Sequence, residues 1–350
     1  MSIRLVLVNV CLLYASYILL KFLHQASCVD EQEFLRTHRD SGRVLFCTPL
    51  REAEAHLPRF FSGLYNLSYP HELVDIAFLV SESKDQTTSA LIAHIDTLQR
   101  SADKKMPYHS VTVLYKDFHQ IVAQDARSRH DFTAQPERRK RLAKARNWLW
   151  SASLRPHHAW VYWQDVDVER VPATIFEDLM KHDSDVIVPS VWMTHPKFGD
   201  FPYDLNSWIE SDQGRAVSEA LAEDMVIVEG YPEFETNRTY LAHLRRDGGD
   251  PMEKVEIDAV GGVSILAKSE VFRAGCHCPA FSFQNQVETE AFGKRCNRWQ
   301  KPWASMSEGY PIILFGMHTR KGFSRHHDAG IDKGHEYCNI PTKLEVPVPW

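Results

Sequence analysis

Two aspartates stand one residue apart at the end of an apolar run in AWVYWQDVDVERVP, residues 159–172. The run is typical of a buried β-strand, and side chains at positions i and i+2 of a strand point the same way. Asp165 and Asp167 would therefore present an oxygen-rich site to a hard divalent cation, which can bridge the diphosphate of a nucleotide. The alternative is a pair of solvated turn carboxylates, because the Asp-x-Asp pattern is short and common.

Three arginines precede this run on a strongly basic stretch. Arg138 and Arg139 are adjacent, and Arg146 follows about two helical turns later. An arginine fork matches the paired oxygens of a diphosphate, so this stretch could supply a contact to a nucleotide. The alternative is a solvated basic face of a helix.

The elements that must position these residues alternate between strand-like and helix-like segments. Strands are predicted at residues 44–50, 75–83, 110–118, 159–164 and 184–192. A long helix is predicted over 138–154, where apolar residues recur at helical spacing. This alternation predicts a mainly parallel sheet flanked by helices. Ligands of such sheets bind beyond the carboxyl ends of the strands, which is where Asp165 and Asp167 lie.

Composition limits the class of protein. The 350 residues are 44% hydrophobic and 25% charged, which is typical of a globular chain with one large domain or two small ones. A net charge of −6 argues against general nucleic-acid binding.

The amino-terminal segment predicts entry into the secretory pathway. Residues 5–20 are uncharged, stand between Arg4 and Lys21, and are about long enough to cross a bilayer. The positive residue before the run favours a cytoplasmic amino terminus. The alternative is a cleaved signal peptide ending near Cys28. Glycosylation sequons at Asn66 and Asn237 agree with a lumenal location.

We therefore predict four segments. They are a cytoplasmic tip with a transmembrane signal anchor (1–24), a short stem (25–42), a catalytic domain (43–325) and a carboxyl-terminal tail (326–350). Six of the seven cysteines lie outside the span and could form disulfides of unspecified pairing. The Cys276-His277-Cys278 triplet lacks a second pair of zinc ligands nearby, which favours a structural thiol or a disulfide.

Several motifs occur in one fixed order along the chain. They are TPLREAEAHLPRFFSGLYNLSYPHELVDIAFLVSES, RRKRLAKARNWLW, WVYWQDVDVERVP, HDSDVIVPSVW, PYDLNSW, EGYPE, VGGVSILAKSEVFRAG and ETEAF. Over roughly residues 44–321 the chain resembles glycosyltransferase family 62, the fungal Golgi mannan-polymerase subunits. The resemblance implies a type II anchor in the Golgi membrane and a lumenal, A-type glycosyltransferase fold, a Rossmann-like mixed α/β sheet flanked by helices. It also implies GDP-mannose as donor, Mn²⁺ as cofactor, and retaining transfer of α-mannose onto mannan of N-linked glycans.

The same resemblance implies roles for single residues at the donor site. Asp165 and Asp167 match the metal-binding pair, with Asp167 as the direct ligand and Asp165 also touching the ribose. His318, in ILFGMHTRKG, follows the last apolar strand and could complete the manganese shell, with a loop histidine as the alternative. One of Arg138 or Arg139 is expected to contact the donor.

Carboxylates are expected on the acceptor side. Asp204, in PYDLNSW, matches an active-site carboxylate that could receive the acceptor's proton and stabilise oxocarbenium-like charge. Glu288 and Glu290 form a second acidic pair suited to acceptor hydroxyls, with a helix start as the alternative. The Gly261-Gly262 turn could let a sugar ring approach the backbone. Three aromatic residues could stack on sugars, with core packing as the default: Trp192, Tyr203 and Trp208.

Three functions compete at this stage. The first is an active mannosyltransferase working in a hetero-oligomer with other mannan-polymerase subunits. The second is a non-catalytic scaffolding subunit of such a complex. The third is a metal-dependent hydrolase, which is disfavoured because the sequence lacks the histidine-rich ligand clusters of such enzymes. Retention of both aspartates, Asp204 and the basic helix favours the enzyme.

Overall fold

A computed structural model describes residues 42–119, 132–195, 199–244, 253–303 and 312–321, with backbone positions alone for 194–195, 199, 298–303 and 312–321. The predicted span at residues 5–20, nearly all of the stem and the tail 326–350 lie outside the described residues. Among the helices in these described ranges, none combines the length and the apolar character needed to cross a bilayer.

Eleven strands are described. They are β1 (Val44–Leu50), β2 (Val74–Val80), β3 (Ser110–Tyr115), β4 (Trp160–Gln164), β5 (Val168–Arg170), β6 (Val186–His195), β7 (Gly199–Pro202), β8 (Trp208–Ile209), β9 (Thr239–Tyr240), β10 (Ser264–Lys268) and β11 (Ile312–Lys321). Nine of them form one sheet in the order β3-β2-β1-β4-β10-β6-β11-β5, with β7 beside β6. Strands β8 and β9 form a separate ribbon.

The core of the sheet is parallel. Strand β1 runs parallel to both β2 and β4, and β2 runs parallel to β3. Strand β10 is antiparallel to both β4 and β6. All seven residues of β2 are buried, as expected for an apolar strand covered on both faces of a sheet. The predicted mixed α/β fold is confirmed, with parallel strands at the core of the sheet.

Eight α-helices are described on the two faces of the sheet and in its connections. They are α1 (Leu57–Tyr65), α2 (Thr87–Gln99), α3 (Gln135–Ser153), α4 (Ile175–Met180), α5 (Asp212–Ala220), α6 (Leu241–Leu244), α7 (Ser269–Arg273) and α8 (Glu288–Trp303). Phe46 of β1 packs in one core with α1, α2 and α4, whereas Leu45 packs in another with α3, α7 and α8. Alternation along the strand thus divides its side chains between two helical layers.

The long helix begins earlier than the sequence predicts. Helix α3 begins at Gln135, with Pro136 at its first turn, where proline's fixed φ and missing N–H suit a helix start. A disulfide joins Cys276 to Cys296 in α8, and Cys47 and Cys278 are buried free thiols. The prediction that the Cys276-His277-Cys278 triplet is structural is confirmed by this pairing.

Candidate functional site

The two aspartates lie at the carboxyl edge of the sheet, as predicted. Asp165 follows Gln164, the last residue of β4, and Asp167 immediately precedes β5. Both are half-buried, so both can be reached from solvent. The backbone N–H of Asp165 donates to the Val263 carbonyl at 2.9 Å, which fixes the turn that carries the pair.

Arg146 is a buried cation behind Asp165. Its Nη2 lies 3.6 Å from Asp165 Oδ1, and its Nε donates to Glu288 Oε1 at 2.9 Å. Nη2 also donates to the Gly262 carbonyl at 2.8 Å. Burial by itself lowers the pKa of Arg146, but the charges of Glu288 and Asp165 outweigh it and raise the pKa. The structure therefore places Arg146 in contact with Asp165 from within the protein.

Arg139 lies to one side of this group, nearer the start of α3. One guanidinium nitrogen donates to Glu290, and Nη2 donates to Asn206 Oδ1 at 3.0 Å. Trp208 Nε1 donates to the other Glu290 oxygen at 3.0 Å. Burial raises the pKa of Glu290 to about 7, although the charge of Arg139 opposes the rise. Arg138 is half-buried beside Arg139 on the same helix.

Trp208 belongs to the core. Its side chain is fully buried, with the Arg238 guanidinium 3.6 Å and Lys294 Nζ 5.3 Å from the ring centroid. Arg238 in turn is paired with Glu210 and Glu229. Because cations flank this buried ring, Trp208 does not offer a face to a sugar, and core packing is the correct interpretation.

Asp204 is buried just beyond β7. Its Oδ1 accepts from the backbone N–H of Asn206 at 2.9 Å and from Asn206 Nδ2 at 3.1 Å. Gly261 lies directly against it, since a Cβ built on this glycine would stand 1.7 Å from Asp204 Oδ2. The sequence predicted that this glycine pair lets a sugar approach, whereas in the structure the Asp204 carboxylate occupies the space at Gly261.

Glu288 and Glu290 stand at the start of α8, which was the alternative interpretation of this pair. Both are buried, and each is paired with an arginine, Glu288 with Arg146 and Glu290 with Arg139. This placement differs from the expected pair of carboxylates open to acceptor hydroxyls. It assigns them to holding the two arginines.

His318 lies on β11, of which the backbone is described and the side chain is not. Lys321, three residues further, pairs with Val168, the residue after Asp167. The topology therefore brings the strand that carries His318 beside the segment that carries the aspartate pair.

The predicted residues thus fall into two connected groups. Asp165, Arg146 and Glu288 form one, and Arg139, Glu290 and Asp204 form the other. Two contacts of the 261–263 segment join them, because Gly261 touches Asp204 and the Gly262 carbonyl accepts from Arg146. Asn206 links Arg139 to Asp204 and was missed by sequence reasoning. The available signal was an asparagine two residues after an aspartate, a spacing typical of Asx turns.

A second cluster of candidate metal ligands lies at the opposite, amino edge of the sheet. Within the described ranges, Asp75, His157 and His158 are close enough together to hold an ion. His158 Nδ1 accepts from the backbone N–H of Arg155 at 2.9 Å, so its Nε2 carries the hydrogen and donates to Asp75 Oδ2 at 2.9 Å. A metal would need that nitrogen bare, which favours a hydrogen-bonded support of the strands over a metal centre.

Hydrogen bonding dominates the electrostatics of Asp75. Burial by itself raises the pKa of this carboxyl, but hydrogen bonds from His158, Ser110 and His109 outweigh burial and hold the pKa well below its usual range. Asp75 lies near the start of β2, Ser110 begins β3, and His158 precedes β4. The carboxylate therefore ties β2 to β3 and to the residues just before β4, at the edge away from Asp165.

Comparison with known proteins identifies the family. A family model described as Anp1 matches residues 30–282. The chain belongs to the Anp1 family. The mannan polymerase II complex ANP1 subunit of Saccharomyces cerevisiae is 53% identical over 262 residues, covering 74% of this chain and 52% of that protein. The anp1 subunit of the same complex in Schizosaccharomyces pombe is 48% identical over 272 residues, covering 77% and 63%.

A more distant relative is the mannan polymerase complex subunit MNN9 of Candida albicans, 33% identical over 264 residues and covering 73% of this chain and 70% of that protein. The resemblance of this Anp1-family chain to fungal mannan-polymerase subunits is therefore confirmed. The chain spans between about half and two thirds of the length of the two ANP1 subunits.

Solved structures resemble the chain loosely. Staphylococcus aureus TarS 1-349 gives a TM-score of 0.41 at 10% identity, covering 80% of this chain and 60% of that chain. A mannosyltransferase from Pyrobaculum calidifontis, in complex with GDP-Man and Mn²⁺, gives 0.40 at 13% identity, covering 80% and 56%. Superpositions this loose carry no argument about ligands or chemistry.

Proposed function

We propose that this chain is an α-mannosyltransferase that moves mannose from GDP-mannose onto mannan of N-linked glycans with retention at the anomeric carbon. The observation that carries the proposal is the cluster at the carboxyl edge of the sheet in an Anp1-family chain. There Asp165 and Asp167 follow β4, and contacts of the 261–263 segment join Asp165 to Asp204 and Arg146. The proposal includes an A-type glycosyltransferase fold.

The carboxylate oxygens at this edge are suitable ligands for a hard divalent cation such as Mn²⁺. Asp165 and Asp167 offer carboxylate oxygens that are half-buried and reachable. Arg146 Nη2 lies 3.6 Å from Asp165 Oδ1 and partly neutralises that carboxylate. We therefore assign the direct metal contact to Asp167, and a second metal contact or a ribose contact to Asp165. His318 on the neighbouring β11 is a further proposed ligand. When bound, the cation would neutralise charge on the departing diphosphate.

The remaining roles follow from charge and position. Arg139 is held by Glu290 and Asn206 near the start of α3, where its guanidinium, with Arg138 beside it, can attract a diphosphate. Asp204 is the carboxylate proposed to receive the acceptor's proton and to stabilise positive charge at the sugar. Glu288 and Glu290 hold Arg146 and Arg139 in place.

Location and partners are part of the proposal. The uncharged segment at residues 5–20 supports a single-pass type II anchor in the Golgi membrane with the folded domain in the lumen. The relatives are named as subunits of mannan polymerase complexes, which supports assembly with other subunits of this kind. The same naming supports a second candidate function, a scaffolding subunit that does not turn over.

A transfer assay separates the two. Purified chain is incubated with radiolabelled GDP-mannose, Mn²⁺ and an α-mannoside acceptor, and donor binding is measured by calorimetry. We expect Mn²⁺-dependent transfer that falls by about 100-fold or more in Asp167→Asn, because the diphosphate loses its counter-charge. The matched control is Asp96→Asn, an exposed carboxylate of α2 paired with Arg100, which should behave as wild type. If folded wild-type protein binds no GDP-mannose, the mannosyltransferase hypothesis is refuted and the scaffolding-subunit hypothesis remains.

A further inference from the structure

Asn206 makes direct side-chain contacts with both Arg139 and Asp204. Its Oδ1 accepts from Arg139 Nη2 at 3.0 Å, and its Nδ2 donates to Asp204 Oδ1 at 3.1 Å. Its backbone N–H donates to the same Asp204 oxygen at 2.9 Å. The side chain thus bridges a cation and an anion that come from distant parts of the sequence.

The chemistry of the two neighbours fixes the orientation of this amide. A guanidinium offers donors alone, and an ionised carboxylate offers acceptors alone. The amide must therefore turn its oxygen to Arg139 and its nitrogen to Asp204. Asparagine presents a donor and an acceptor side by side at this length, which an ionised aspartate or an aliphatic residue does not.

Each neighbour also has a contact with another element. Glu290 binds Arg139 from α8, and Gly261 packs against the Asp204 carboxylate at a distance that excludes any Cβ. Asn206 is half-buried and bonds to both of them. Its bonds thus set the separation of the guanidinium and the carboxylate.

We propose that Asn206 is a positioning residue that couples the donor-binding arginine, Arg139, to the acceptor-side carboxylate, Asp204. The inference rests on the proposed function of the same site. It implies that the two halves of the site are aligned through one amide. Changes at Asn206 should therefore separate donor binding from turnover according to which half of the amide is lost.

Two variants divide the roles. Asn206→Ala removes both side-chain bonds, so GDP-mannose affinity should fall about tenfold and kcat about 100-fold. Asn206→Asp keeps an acceptor for Arg139 but places a second carboxylate against Asp204. Donor affinity should then stay within about twofold of wild type, while kcat near neutral pH falls about 100-fold.

Lowering the pH supplies a readout that a merely structural residue would not move. A protonated carboxyl in the Asn206→Asp variant donates to Asp204 and still accepts from Arg139, as the amide does. The ratio of its kcat to that of wild type should therefore rise as pH falls through the shared titration of the two carboxyls. Arg139 contacts Asn206, and Glu290 contacts Arg139, and both charged residues are unchanged in the variant.

The control is Gln86→Glu, the same amide-to-carboxyl change at an exposed residue that accepts from Ser89 Oγ at 3.1 Å, which should leave kcat and its pH dependence unchanged. A folded Asn206→Asp variant with kcat within about threefold of wild type at all pH values overturns the inference while the proposed function stands. If neither the wild type nor Asp167→Asn transfers mannose, the proposed function is refuted, and this inference is refuted with it.

Discussion

Replacing Gly261 by alanine should displace Asp204. A Cβ at this position would lie 1.7 Å from Oδ2, 2.3 Å from Cγ and 2.4 Å from Oδ1 of the carboxyl group. Ordinary contact begins at 3.4 Å, so the oxygen must retreat by about 1.7 Å, the difference between 3.4 and 1.7 Å. A shift of that size breaks the hydrogen bonds of 2.9 and 3.1 Å from Asn206.

The expected magnitudes follow from the displacement. Overpacking of this kind lowers the free energy of unfolding by about 1–3 kcal/mol, measured by urea denaturation. In the transfer assay, a misplacement of more than about 1 Å should reduce kcat by about 100-fold, whereas GDP binding, for which we propose other groups, should change little. Gly63→Ala is the matched control, because nothing lies within 4 Å of the added methyl on the exposed face of α1.

A double-mutant cycle tests the cause. In an Asp204→Ala background the carboxylate is absent, so Gly261→Ala should destabilise the protein by less than about 0.5 kcal/mol. Strict additivity of the two changes would contradict this cause, since the penalty would then come from the backbone and not from contact with Asp204. A Gly261→Ala protein with wild-type stability and kcat would contradict it as well.

Two further predictions concern stability. Cys296→Ser should lower the free energy of unfolding by about 3 kcal/mol, because the disulfide to Cys276 closes a loop with a sequence separation of 20 residues. Thermal denaturation with and without a reductant checks this. If a reductant lowered the melting temperature of the variant as well, the prediction would be contradicted. Asp75→Asn should lower it by about 2–3 kcal/mol at pH 7, because the bonds from His158, Ser110 and His109 stabilise the ionised carboxyl. Since the folded-state pKa lies below the unfolded value near 4, this contribution is complete above about pH 4 and is lost as pH falls further. Urea denaturation of both proteins from pH 3 to 7 measures it, and a pH-independent difference would contradict the assignment.

Sequence patterns were sufficient to predict five strands of the sheet and the location of the aspartate pair. A continuous apolar run such as residues 44–50 is typical of a strand in a sheet that is covered on both faces. Alternation of such strands with helices implies that the strands are parallel. The apolar run that ends at Gln164 therefore places Asp165 at a carboxyl edge. Motifs in fixed order also indicated the family, because their order along the chain does not depend on how the side chains pack.

Which charged groups meet depends on tertiary packing. Arg139 and Glu290 lie 151 residues apart and Arg146 and Glu288 lie 142 apart, and no spacing rule connects residues so distant along the chain. Burial is also decided by packing. The sequence allowed Glu290 to be a solvent-accessible carboxylate that binds acceptor hydroxyls, whereas in the structure it is buried beside Arg139 and Trp208. The close approach of Asp204 to Gly261 is likewise a property of packing. Sequence patterns report local geometry, whereas long-range contacts and desolvation arise only when the layers assemble.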